Sequence, residues 1–274
     1  MRCKKNQPSI LGSSETIREA SQQNQFNFEQ YKQWGHPSHL NTLDTDFLEW
    51  FIGFSEGDGS FSLSKLSFVI NQKDPKLLFR IKKKLGFGSV YETTVSGIWR
   101  YSVTGQKNCL RLYYLFNGHL VLKKTQQRFI FWSKYLSSKQ CLLKKSSMII
   151  SLNTGWLAGF IEAEGGFYAR IRKKHQTKTG FQLVKKFYIT QKNEQNHLKQ
   201  IGQLLHSAAV VSCFLHNDNQ YDRIEICGFD SHEILLDYLN LYPCFGHKKI
   251  VIQKWKKIHR RQKKKQHLTN SGLE

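Results

Sequence analysis

Acidic residues are scarce in this chain. Against 42 Lys and Arg it sets 20 Asp and Glu, a formal charge of +22 with a pI near 9.8. The shortage is uneven: no acid lies between Thr93 and Ile161, and none between Asp237 and the terminal Glu274. A surface this basic repels itself unless it meets a polyanion, and counterion release from phosphates drives that meeting. Nucleic acid is the expected partner, with DNA and RNA both open at this point. Cysteine pairs of the metal-binding kind are missing too. Cysteines stand at 3, 109, 141, 213, 227 and 244, none in a Cys-x-x-Cys, and read as scattered, mostly buried thiols in a reducing compartment. His36 and His39 have a ligand-like spacing but lack cysteine partners, so no structural zinc is expected. No apolar run approaches a membrane span, and the N-terminus has no apolar stretch of the secretory kind. The expectation is therefore no membrane partner and no secretion signal. Arg2, Lys4 and Lys5 give the start a faint transit-peptide character, against which Glu15, Glu19 and Glu29 speak.

What is present suffices for a substantial core: 39% of residues are hydrophobic and 13% aromatic, which argues against wholesale disorder. Residues 1–43 are polar and rich in Gln, Asn and Ser and read as a flexible arm. Apolar periodicity begins near Thr45, and from there the chain repeats itself. Phe51-Ile52-Gly53-Phe54-Ser55-Glu56-Gly57-Asp58-Gly59 aligns with Leu157-Ala158-Gly159-Phe160-Ile161-Glu162-Ala163-Glu164-Gly165. Downstream, Phe68 to Lys73 matches Phe187 to Lys192, Arg100 with Gly105 matches Arg223 with Gly228, and Lys124 matches Lys248, always in the same order. The second half carries extra residues around His175 to Gly180, an insertion suited to a hairpin tip. The expected organisation is an arm (1–43), a first repeat (44–142), a linker (143–152), a second repeat (153–262) and a basic tail (263–274).

Each half reads as helix, two strands, helix, two strands, then two helices. The first helix is expected to start near Thr45 or Asp46, a good N-cap, and to end at Gly59 in a left-handed C-terminal cap, and its counterpart to do the same between Asn153 and Gly165. Asp74-Pro75 predicts a capped helix closed by Gly86, and Asn193 is expected to cap its counterpart. Ser96-Gly97, Thr179-Gly180 and Asn217-Asp218-Asn219 read as turns.

The repeated helix carries small residues at every fourth position: Gly53 and Gly57 in one copy, Gly155, Gly159 and Ala163 in the other. Residues four apart share a helix face, so each helix has a stripe without bulk, and two such helices can touch backbone to backbone. Glycine costs about 1 kcal/mol in a helix interior. Its recurrence in both copies argues that the two helices pack on each other. Side-by-side pairing would bring Asp58 and Glu164 together, and two uncompensated carboxylates repel unless a hard cation joins them. Carboxylates and carbonyls at a helix C-terminus are oxygen ligands suited to Mg²⁺. Metal held there could support in-line displacement at a phosphodiester.

These two motifs resemble the signature of LAGLIDADG homing endonucleases, and the resemblance covers roughly residues 45 to 260. It implies an α+β fold of two pseudo-twofold-related αββαββα repeats. Each would offer a curved four-stranded antiparallel sheet to the major groove, joined through the paired motif helices. It implies a metal-dependent, site-specific double-strand DNA endonuclease acting as a monomer with Mg²⁺ or Mn²⁺. The last acid of each motif, Asp58 and Glu164, would hold the metal, assisted by the carbonyls of Gly57 and Ala163. Glu56 and Glu162 would be structural. Gln72 and Gln191 fill the place of a glutamine beside the reactive phosphate. Lys124 and Lys248 fill that of a charge-stabilising base at the start of the last helix, with Lys123 an alternative register. Phosphate or surface contact is the plainer role for these four residues. Base reading would fall to residues among Ser62, Ser64, Lys65, Arg100, Arg170, Arg172, Lys174 and Arg223, about half of them facing the groove by strand alternation. The seven Lys and Arg of residues 256–265 would grip phosphates.

Ser55 departs from the family's usual apolar residue, and Glu164 from its usual Asp. The longer arm predicts unequal cutting of the two strands. Such proteins are typically encoded in organellar introns, so mitochondrion or chloroplast is the expected location. A rival reading is an RNA maturase that assists splicing of its own intron, alone or in addition. A second rival is a non-catalytic DNA-binding module. Intact acids in both motifs favour the nuclease, since a pure binder gains nothing from carboxylates facing phosphates.

Overall fold

The computed structural model describes residues 26–62, 66–136, 142–146, 148–177, 179–216 and 219–269. In the first half the chain forms α1 (Thr45–Asp58), β1 (Gly59–Ser62), β2 (Ser67–Gln72), α2 (Pro75–Leu85), β3 (Ser89–Glu92), β4 (Trp99–Thr104), α3 (Gln106–Phe116) and α4 (Lys123–Ser133). The second half repeats the succession with α5 (Trp156–Glu164), β5 (Gly165–Lys173), β6 (Phe181–Gln191), α6 (Gln195–Leu204), β7 (Ser212–His216), β8 (Asn219–Ile226), α7 (Phe229–Leu241) and α8 (His247–Lys263). Each half makes one four-stranded antiparallel sheet, ordered β1-β2-β4-β3 and β5-β6-β8-β7. The α+β class and the two-repeat plan expected from the sequence are what the chain adopts.

Strand alternation divides each sheet into a buried and an open face. Phe68, Ile70, Tyr101 and Val103 point from the first sheet into an aromatic core with Phe51, Phe61, Phe116, Phe129 and Trp132. Phe187, Ile189, Ile224 and Ile226 do the same in the second. The last helix of each repeat straps the buried side by an indole bond to the sheet: Trp132 Nε1 donates to Ser67 O at 3.1 Å, and Trp255 Nε1 to Tyr168 O at 3.3 Å.

The two halves meet through α1 and α5. A Cβ added at Gly53 would stand 1.9 Å from the carbonyl oxygen of Trp156, and one at Gly159 would stand 1.8 Å from that of Trp50. Gly53 also faces the Phe160 backbone nitrogen, and Gly159 that of Phe54. The contacts are reciprocal between matched positions, as two copies of one element related by a twofold demand. Only glycine admits this approach, since any side chain would enter the partner's backbone.

Several local expectations need correction. Helix α1 starts at Thr45 as read, but its cap is Asp44, whose carboxylate accepts from Phe47 N at 3.1 Å, and α5 starts at Trp156 rather than at Asn153. Of the described cysteines Cys109 and Cys244 are buried, but Cys213 and Cys227 are exposed. Gly59 and Gly165 are not left-handed caps: both are extended, at φ −80° and −70°, and lead straight into β1 and β5. They are glycine for lack of room, because a Cβ would meet Ser55 O at 2.4 Å and Ile161 Cγ2 at 2.8 Å. Asn193 does not cap α6; it takes φ +56° in the preceding turn, and Glu194 occupies the cap position. The Asp74-Pro75 start and the left-handed Gly86 stop of α2 form as read. From residue 26 the arm is packed rather than loose. Phe28 and Tyr31 are buried, Phe28 lies edge-on to His119 at 5.0 Å, and a π-helical turn at Tyr31–Gly35 sits against the Arg111 carbonyl of α3. A polar average hides aromatics spaced to dock on a neighbouring helix. Residues 1–25, the last five residues of the basic tail and part of the predicted 217–219 turn lie outside the described residues.

Candidate active site and nucleic-acid interface

Where α1 and α5 end, the small pair Gly57 and Ala163 lets the helices close: a Cβ at Gly57 would meet Ala163 Cβ at 2.4 Å and Glu164 Cγ at 3.0 Å. The next residues, Asp58 and Glu164, are therefore neighbours. Burial, then the charge of Glu164, pushes the Asp58 carboxyl up to about 6. Burial raises Glu164 as well, while Gln191, Lys124 and Lys248 pull it back down. Each acid is held by the glutamine of its own repeat: Gln72 Nε2 donates to Asp58 Oδ2 at 2.6 Å, and Gln191 bonds Glu164. The lysines are less symmetric. Lys124, from the first repeat, crosses to the second and donates to Gln191 Oε1. Lys248 donates to the Gly165 carbonyl, and its charge acts on both acids. Of the two candidate registers, it is Lys124 whose charge acts on Glu164. Lys123 instead lines a separate polar cavity with Asn193, Glu194 and His197.

Glu56 and Glu162, expected to be structural, do something definite. Glu56, 3% exposed, accepts from the backbone nitrogens of Val121 (3.0 Å) and Leu122 (2.7 Å) and from Trp156 Nε1 (2.7 Å). Burial pushes its carboxyl up to about 8. Glu162 accepts from Phe245 N at 2.7 Å, Gly246 N at 2.9 Å and Lys248 N at 3.3 Å. Both therefore grip the segment that opens the last helix, and so fix where Lys124 and Lys248 start. This was missed because the grip joins residues more than 60 positions apart. Ser55 is buried and its hydroxyl lacks a partner among the described residues, consistent with its standing where an apolar side chain is usual.

The open faces flank this centre. On the first sheet, register places Ser62, Ser67, Val69, Asn71, Arg100 and Ser102 on one face, with Arg100 Nε donating to Asn71 Oδ1 at 2.8 Å. Ser64 and Lys65 lie outside the described residues. On the second sheet Arg170, Arg172 and Arg223 share the open face with Tyr168, Lys186, Tyr188 and Glu225. Arg172 donates to Gln182 Oε1 at 2.7 and 2.9 Å. Lys174 sits past the end of β5, where its backbone closes the hairpin onto Gly180 O at 2.7 Å. Lys186, Tyr188 and Glu225 escaped the sequence reading, although stepping by two from Arg223 reaches Glu225. Lys185 takes the other face, buried over Trp255 and bonded to His259.

Residues 157–259 match the family model described as LAGLIDADG endonuclease. Probable intron-encoded endonuclease 4 of Neurospora crassa is 30% identical over 224 residues, which is 78% of this chain and 40% of that protein. The chain thus spans less than half the length of that relative. Among solved structures, the meganuclease I-SmaMI bound to uncleaveable DNA superposes with a TM-score of 0.67 at 21% identity, over 87% of this chain and 95% of its own. The LAGLIDADG meganuclease I-AabMI bound to uncleaved DNA does so with a TM-score of 0.62 at 25% identity, over 82% and 95%.

Proposed function

We propose that this chain, which belongs to the LAGLIDADG endonuclease family, cuts double-stranded DNA at a long specific site, using one acid from each repeat. The observation that supports this most is the meeting of Asp58 and Glu164 at the end of a glycine-paired helix couple, between two open sheet faces. A surface built only for binding has no use for two half-buried carboxylates facing each other.

The donor set fits a hard divalent cation such as Mg²⁺ or Mn²⁺: two carboxylates raised by burial, beside the carbonyls of Gly57 and Ala163 in the last turns of their helices. When bound, such an ion supplies the Lewis acidity on which phosphodiester hydrolysis draws. The remaining work falls to the chain. Gln72 and Gln191 hold the carboxylates in place. Lys124 and Lys248 set positive charge where negative charge grows on the phosphate. The arginines and hydroxyls of the two open faces bind the duplex on either side. We assign Ser62, Arg100, Arg170, Arg172 and Arg223 to that contact, and with it a monomer whose repeats each cover one half-site. An organellar origin follows the relative's description as intron-encoded.

The test is incubation with a randomised duplex library and Mg²⁺, with sequencing of the cut ends and Glu164→Gln as control. A long, partly degenerate site cut by the wild type and not by the variant is expected, with Asp58→Asn likewise inactive but still binding. Cutting by both proteins would remove the acids from the chemistry. No cutting at all, with salt-sensitive binding to intron RNA, would move the assignment to a splicing maturase.

A further inference from the structure

We propose that Arg223 and Glu225 together read one G·C base pair, and that the half-site under the second repeat is specified more strictly than the one under the first. The proposal rests on the DNA-binding reading of the open faces and goes beyond it in assigning a base-reading role to an acid.

Glu225 is the only acid on the open face of either sheet among the described residues; Glu92 and Asp222 belong to the opposite faces by register. A carboxylate on a phosphate-binding surface weakens binding, so its presence calls for a purpose. Glu225 stands two residues from Arg223 on β8, hence on the same face. Its Oε1 lies 2.9 Å from Arg223 Nη2, and its Oε2 lies 2.5 Å from Lys186 Nζ on the neighbouring strand. The Arg223 guanidinium also lies over the Tyr188 ring, 4.0 Å from its centroid. Arg223, Lys186 and Tyr188 line a groove of about 420 Å³ together with Tyr168, Arg170, Arg172 and Val184, and Glu225 holds two of those cations from beside it.

The chemistry of that cluster is complementary to one base-pair edge. In the major groove a G·C pair presents two acceptors, guanine N7 and O6, beside one donor, cytosine N4–H. An arginine supplies the paired donors. A carboxylate supplies the acceptor, and each of its oxygens keeps a lone pair after taking one cation. Arg223 is clamped between Glu225 and Tyr188, so little rotamer freedom is left to lose on binding. The two cations beside the acid neutralise it against the backbone phosphates without removing its acceptor capacity. Among the described residues the first sheet has no such device. Its open face offers hydroxyls, which hydrogen-bond to any base, and Arg100, which is tied to an amide.

Duplexes selected by binding from a randomised pool in metal-free buffer would test this, using the full chain, Arg223→Gln and Glu225→Gln, with thermal melting to confirm that both variants fold. Expected for the wild type is one position fixed as G·C within the more constrained half-site. Arg223→Gln should lower discrimination at that position by roughly tenfold or more and move it toward A·T. Glu225→Gln should relax the same position and leave the others intact. The proposal is overturned if both variants weaken every sequence alike, as phosphate grips do, or if the two half-sites are equally constrained. Selection of the expected pattern by a protein that cuts nothing would overturn the nuclease reading alone. A protein that cuts a long site with that position unconstrained would overturn this proposal alone.

Discussion

Below their sheets the two repeats are close to interchangeable; above them they are not. Both place a motif helix, an acid, a glutamine, a lysine and an anchoring glutamate at matched positions. The open faces diverge. The first hairpin has strands of 4 and 6 residues and a face of hydroxyls with one arginine among the described residues, whereas the second has strands of 9 and 11 residues and a face of arginines. The helix pair and the acids must satisfy each other, so a change in one copy is paid in both. The sheet faces meet a partner that need not be symmetric, so each is free to differ.

The comparison can be broken most severely at the glycine seam. Gly53→Val and Gly159→Val should each destabilise the chain by about 4 kcal/mol or more, since each would drive atoms into the partner's backbone. Gly97→Ala, with open space but φ +74°, should cost only about 1 to 2 kcal/mol. Urea unfolding would check both, and a mild effect at one seam glycine but not the other would end the twofold account.

Next come the anchoring acids, which match in place but not in depth. Glu56→Ala leaves two backbone donors and the Trp156 indole unpartnered inside the core and should cost about 3 kcal/mol or more. Glu162→Ala frees donors that sit nearer solvent and should cost about half as much. Equal denaturant midpoints for the two variants would contradict that difference.

The lysines sharpen the comparison at the chemical step. The charge of Lys124 acts on Glu164, while that of Lys248 acts on both acids. Lys124→Ala should therefore slow one strand by about 10²-fold, and Lys248→Ala should slow both. Strand-resolved cleavage would reveal this, and equal slowing of both strands by both variants would reduce the lysines to anchors. The unequal arms of Asp58 and Glu164 predict unequal strand rates in the wild type as well.

The smallest effect concerns the far end of the helix pair. Glu49 accepts from Gly155 N at 2.7 Å, and its own matched position in the second repeat is Gly155 itself. Burial raises its carboxyl from the usual 4.5 to about 7. A raised acid favours the folded state below its unfolded value, and that contribution is lost as pH rises through the folded one. Stability of the metal-free protein should therefore fall between about pH 4.5 and 7, with Glu49 contributing about 1 kcal/mol after allowance for solvent screening. Glu49→Gln should flatten that part of the slope in urea melts at the two ends of the window.

Much of this was legible in order and type. The repeat, the helix and strand succession, the glycine stripes and the acids stand in the sequence, because periodicity and small-residue spacing report local geometry directly. The reading erred where a residue's reason is a distant neighbour. Gly59 and Gly165 look like helix caps but are glycine because Ser55 and Ile161 leave no room. The stretch after residue 26 looks polar but docks Phe28 and Tyr31 on the core.

By itself, then, the sequence determined that two like units exist, that their motif helices can touch, and which acids end them. Only the tertiary structure decided that Lys124 crosses to the other repeat, that Glu56 and Glu162 hold the start of the last helices, and that Lys186 of the neighbouring strand meets Glu225. Spacing along a helix or strand is a local property and can be read one residue at a time. A hydrogen bond between residues 65 or more positions apart depends on how whole elements stack, and no local pattern contains that.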